Sequence, residues 1–118
     1  MMKKTNPDFL NGVPELLILQ LLNARPMHGY DLVQAIREQS REKLDFGEGC
    51  IYPILHRLEE QQFLTSRREL TAGRNRIVYR LTKAGQKRLA AALATWNQTV
   101  AAINSVIQGG TDARPAMA

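Results

Sequence analysis

The chain has 118 residues, enough for one domain with a modest core to which burial against a second chain would add. Sixteen lysines and arginines against 11 acids leave a net charge of +5, a basic balance suited to an acidic partner. The single cysteine excludes an internal disulfide, and Cys50, His28 and His56, the only soft ligands, have no metal-ligand spacing; no metal or cofactor is expected.

Residues 1–12 are expected to form a flexible N-terminal segment. Met1 to Asp8 is polar and does not resemble a signal peptide, and no 18-residue apolar run is present, so no membrane partner and a cytoplasmic location are expected. A first helix should start near Pro14, a residue suited to a first turn, and run through ELLILQLL at 15–22 to about Asn23. It is apolar nearly all round and therefore buried between neighbours. A second helix is predicted from about Gly29 to Gln39, with Leu32, Val33 and Ile36 inward and Asp31, Gln34, Arg37 and Glu38 outward. His28, at its start, reads as a hydrogen-bonding residue of the helix end rather than a ligand or base. Leu44, Asp45 and Phe46 form a candidate third strand for the sheet that follows.

The stretch Gly49 to Arg80 organises the chain. On a third helix, Ile51, Leu55 and Leu58 share one face with Ile54 beside them, which leaves Cys50, Tyr52, Pro53, His56, Arg57 and Glu60 pointing away from the core. That outward set is the candidate recognition surface. Proline is tolerated in a first turn, so Pro53 places the start of this helix near Gly49 or Cys50. Leu64–Glu69 and Arg76–Leu81 then read as strands, with Thr71, Ala72, Gly73, Arg74 and Asn75 as the turn of a hairpin.

Between Arg67 and Arg88 the chain carries eight basic residues and one acid, a local balance of +7, while the remainder sums to −2. Such a concentration on and after a hairpin is the footprint expected for a phosphate backbone. Helix, helix, recognition helix and basic hairpin make a winged helix-turn-helix: mainly α, with a small antiparallel β-hairpin wing, over residues 13–81. In that topology the third helix enters the major groove.

Thr82 is a candidate N-cap for a final helix from about Lys83 to Gln108, roughly 39 Å long, which Gly109 and Gly110 stop. Leu89, Leu93, Trp96, Val100, Ile103 and Ile107 recur at 4, 3, 4, 3, 4, the seam of a helix packed along another helix. A dimer interface is the preferred reading of residues 82–108, and a helix folded back on its own domain is the other. Residues 109–118 are expected to be a disordered tail.

Five ordered blocks, ELLILQLL at 15–22, HGYDLVQAI at 28–36, EGCIYPILHRLE at 48–59, GRNRIVYRLT at 73–82 and the last helix with Trp96, resemble the PadR family of winged helix-turn-helix regulators. The short chain with one helix after the wing is similar to the small branch that includes multidrug-responsive repressors. The resemblance implies a homodimer on an inverted-repeat operator in double-stranded DNA, released by an aromatic small molecule. It implies a DNA-facing Tyr52-Pro53; on the same surface His56 or Arg57 is placed to reach base edges, and Arg74, Asn75 and Arg76 of the wing to meet the neighbouring backbone or minor groove. It also implies Trp96 as a stacking platform for a ligand between subunits; its other role is to fill that interface, and both readings stay open. Three positions depart from the family pattern. Cys50 replaces a small hydroxyl residue, Arg68 replaces a tryptophan, and Ile77-Val78 replaces a basic and aromatic pair. Cys50 therefore also reads as an oxidisable thiol near a helix N-terminus.

The expected function is that of a sequence-specific DNA-binding regulator, with a winged-helix protein adaptor lacking an operator as the alternative. No nucleophile and base pair, Gly-rich phosphate loop or metal cluster supports an enzyme.

Overall fold

The computed structural model describes residues 12–109, so the expectations for residues 1–11 and 110–118 lie outside it. The leucine-rich run forms α1, Val13–Ala24, with Pro14 in its first turn. Arg25, which precedes Pro26, is extended at φ −170° and ψ 158°, as the proline ring requires of its predecessor. The chain therefore leaves the helix straight into a two-residue strand, β1, Met27–His28.

β1 corrects one expectation. The third strand of the sheet is not Leu44–Phe46, which pairs with nothing in the sheet, but Met27–His28, laid against the wing with Met27 opposite Tyr79 and His28 opposite Val78. Leu44–Phe46 is held otherwise. Arg41 and Glu42 adopt left-handed backbone, the Ser40 hydroxyl accepts from the Leu44 N–H at 2.9 Å, and Phe46 is thereby turned into the core.

α2 spans Gly29–Gln39 as predicted, and α3 spans Glu48–Glu60. Pro53 therefore lies inside α3, beyond its first turn, and does not mark its start. Its ring removes the donor that would have met the Gly49 carbonyl four residues back. Gln61, Gln62 and Phe63 close the helix: Gln62 is left-handed at φ 66°, its N–H donates to the Glu59 carbonyl, and the Phe63 N–H donates to the Leu58 carbonyl, each at 2.9 Å. This double bond pattern satisfies the last carbonyls and turns the chain sharply into the wing.

The wing strands are β2, Leu64–Thr71, and β3, Arg74–Leu81, longer than predicted. Ala72 and Gly73 alone make the turn, both with positive φ, and Thr71, Arg74 and Asn75 belong to the ladder. A two-residue turn of that kind matches the twist of the strands it joins and carries the pairing to the hairpin tip.

Ile18 and Leu19 of α1, Leu32 of α2, Ile51, Leu55 and Leu58 of α3 and Leu64 of β2 are fully buried, so each of these elements contributes to one core. Each such side chain contributes about 1.5–3 kcal/mol by leaving water. The core thus locks α3 between α2 and the wing.

α4, Lys83–Ile107, opens on the predicted cap. The Thr82 hydroxyl accepts from the Gly85 N–H at 2.9 Å and donates to the Gln62 carbonyl at 2.8 Å, which ties the last helix to the end of α3. Gly85 is required there, because a Cβ would collide with the Phe63 carbonyl and stand 2.6 Å from Leu81 Cδ1. The predicted seam of α4 divides. Leu89 is buried in its own domain and Leu93 packs at the margin of that core, so Leu89 is corrected from interface to core residue. Beyond them Trp96, Ile103 and Ile107 are exposed.

Candidate nucleic-acid interface

The cleft between α3, the start of α2 and the wing has a volume of about 780 Å³. Tyr52 and His56 enter it from α3, and Arg74, Asn75 and Arg76 from β3. Five of the eight residues predicted to meet DNA thus line a single surface. They converge because the core face of α3 turns Tyr52 and His56 toward the hairpin, while the tight turn extends β3 past the end of the core.

Tyr52 is not a free side chain. Its ring lies on Gly29, the first residue of α2, where only the absence of a side chain leaves room. Burial, then the nearby carboxylates of Glu48 and Asp31, push its phenol pKa up, so its hydroxyl is a neutral hydrogen-bond donor in the groove. Tyr79, beneath it in the sheet, is raised by burial and by Glu59 and Tyr52. Glu59 is itself anchored, accepting from the Ser66 hydroxyl of β2 at 2.6 Å.

The other three predicted contacts sit elsewhere. Arg57 does not reach into the groove. Its Nη1 lies 3.2 Å from Oε1 of Glu15, on the α1 side of α3. Helical geometry explains the difference, since residue 57 is displaced by about 100° from residue 56 around the axis. Cys50 and Pro53 are exposed on the same helix but do not line the cleft. Burial pushes the Cys50 thiol pKa up, which is the reverse of what an activated thiolate needs.

The basic patch is likewise divided by the fold. Arg80 pairs with Glu69 at 3.0 Å across the hairpin, and Arg88 turns back to α1, where its Nε meets Glu15 Oε2 at 2.7 Å and its guanidinium lies 5.1 Å from the centre of the Phe63 ring. Arg67, Arg68, Arg74 and Arg76 remain on the hairpin itself.

Six residues of the cleft, His28, Gly29, Tyr30, Asp31, Ile77 and Tyr79, were not singled out as DNA contacts in the sequence. Tyr30, half exposed, stands at its rim, and His28 Nδ1 and Asp31 Oδ2 approach to 2.8 Å at the start of α2. An exposed aromatic in the first turn of the helix before the recognition helix was the available signal. A second groove, about 460 Å³, runs between α1 and α4 and is lined by Glu15, Leu16, Arg88 and Trp96 among others. Among the described residues no group of three or more His, Cys, Asp or Glu could hold a metal ion, and no helix is long and apolar enough to cross a membrane.

A recognition helix seated on a helix N-terminus and flanked by a cationic wing defines a winged helix-turn-helix DNA-binding protein. Residues 18–91, more than half of the chain, match the Transcriptional regulator PadR-like family. The chain is 38% identical over 82 residues to Transcriptional regulator Rv3488 of Mycobacterium tuberculosis, covering 70% of this chain and 74% of that protein. Its fold superposes on a transcriptional regulator from Clostridium thermocellum with a TM-score of 0.78 at 27% identity, over 84% of this chain and 97% of that one. A PadR family transcription regulator from Clostridium difficile superposes with a TM-score of 0.72 at 26% identity, over 81% and 99%. The chain belongs to the PadR-like family of transcriptional regulators, which are not enzymes.

Proposed function

We propose that this regulator is a homodimeric repressor that reads an inverted-repeat operator and is released by an aromatic small molecule bound beside Trp96. The observation that carries the DNA-reading part is the shared groove of Tyr52, His56, Arg74, Asn75 and Arg76. Tyr52 and His56 have the chemistry for base edges and phosphates in the major groove, and the wing arginines that for the adjoining backbone. Residues 13–81 would act as the DNA-binding unit, in the cytoplasm with the DNA, and residues 82–108 as the dimerisation helix.

The exposed strip of Trp96, Ile103, Val106 and Ile107 supports the dimer, since a chain of this size gains from covering such a face with a second copy. A twofold pair would set two recognition helices about one turn of duplex, roughly 34 Å, apart. A ligand wedged beside Trp96 would release DNA by favouring a dimer with another spacing.

Fluorescence anisotropy on DNA from upstream of the regulator's own gene, against a scrambled fragment at near-physiological salt, tests this reading. A preference on the order of 10³ or more is expected. Equal weak binding to both fragments, and to other candidate operators, would turn the reading toward an adaptor that meets an acidic protein.

A further inference from the structure

Glu15, in the first turn of α1, is shared by two arginines from different elements. Arg57 Nη1 approaches its Oε1 at 3.2 Å from α3, and Arg88 Nε its Oε2 at 2.7 Å from α4. The Glu15 side chain is 14% exposed, whereas the arginine side chains are 44% and 42% exposed. A shielded anion thus holds two cations that otherwise face water. Burial by itself would raise the Glu15 pKa, but hydrogen bonds and charge from Arg88 and then Arg57 outweigh it and keep the group ionised.

Arg57 is the only arginine or lysine on the recognition helix. It stands one turn after exposed Pro53 and next to His56, on the flank of the surface that faces DNA. A side chain of that length, if free, reaches a phosphate. We propose that Glu15 is a positioning residue for DNA recognition: it restrains Arg57 away from the duplex, which keeps sequence-independent attraction of the recognition helix low. Arg88 secures the same carboxylate from α4 and so fixes its position under Arg57. The inference rests on the DNA-binding reading above.

The test is the salt dependence of binding to random-sequence duplex for the full chain, its Glu15→Gln and Arg57→Gln variants and the double variant, with thermal unfolding recorded for each. In the Glu15→Gln chain the released guanidinium should steepen the slope of log K against log salt by about 0.9 for each recognition helix engaged. Arg57→Gln alone should leave the wild-type slope in place, and Arg57→Gln added to Glu15→Gln should return the slope to the wild-type value. A merely structural Glu15 would lower the unfolding temperature without steepening the slope, which overturns the proposal. A shallower slope in Arg57→Gln alone also overturns it, because Arg57 would then already be on DNA; that variant alters an exposed side chain and needs no folding of Glu15→Gln. Should the wild-type chain bind no duplex, the DNA-binding reading fails and this inference with it.

Discussion

The ring of Tyr52 rests on the backbone of Gly29, so closely that a Cβ at residue 29 would stand 2.5 Å from its Cε1 and 2.8 Å from its hydroxyl. The recognition helix is therefore registered against α2 by an aromatic ring placed where a side chain is missing. Gly29→Ala should push Tyr52 out of place, with an overpacking cost of about 1–3 kcal/mol. Operator affinity should fall further than stability accounts for, because Tyr52 also faces the groove. Denaturant unfolding and anisotropy on the same samples separate the two effects.

On the proposed DNA-reading function, the groove should divide its labour between charge and shape. Arg74→Ala or Arg76→Ala should weaken binding to all sequences and flatten the salt dependence by about 0.9 in log–log slope per lost phosphate contact. Tyr52→Phe or His56→Ala should instead alter preference among operator variants, by about 1–3 kcal/mol at the positions they read. Equal losses on specific and random DNA for both classes would contradict this division.

The outer half of α4 carries the dimer prediction. Ile103→Glu places a charge in the exposed apolar strip, where burying one isoleucine is worth about 1.5–3 kcal/mol per side. Sedimentation should show the dimer dissociation constant rising at least about tenfold, with the monomer fold intact by circular dichroism. Leu89→Glu, by contrast, should unfold the domain, since that residue belongs to its own core.

Acid should loosen the α1 anchor. The folded pKa of Glu15 lies below its ordinary value of 4.5, so the stability it contributes is fully present above that value and is lost as pH falls through the folded pKa. The stability difference between wild type and Glu15→Gln should be constant near neutrality and shrink below pH 4.5. A difference that persisted unchanged into strong acid would mean that the carboxylate charge contributes nothing.

Much of this architecture is written locally. The apolar spacing of Ile51, Leu55 and Leu58, the cap at Thr82 and the flanking Gly29 and Gln39 are short-range signals, and they placed the helices to within a residue or two, because hydrogen bonding and amphipathic burial act over one or two turns. Tyr52, His56 and the wing arginines were legible as a candidate DNA surface for the same reason: helix phase and strand alternation determine which way each side chain points. Longer-range pairings were not legible. The two-residue strand at Met27–His28 is too short to carry a period, and it exists only because Arg25 is extended before Pro26 and β3 offers an edge. Arg57 read as a candidate base-edge contact and Arg88 as part of the basic patch because the partner they share is remote along the chain. Glu15 lies 42 and 73 residues away from them, and only the packing of α1 against both α3 and α4 brings its carboxylate between the two guanidiniums. Sequence alone determined the helices, the hairpin and most of their faces, because those signals are local; the tertiary structure decided the third strand and which charges are paired inside the fold and which stay exposed on the wing.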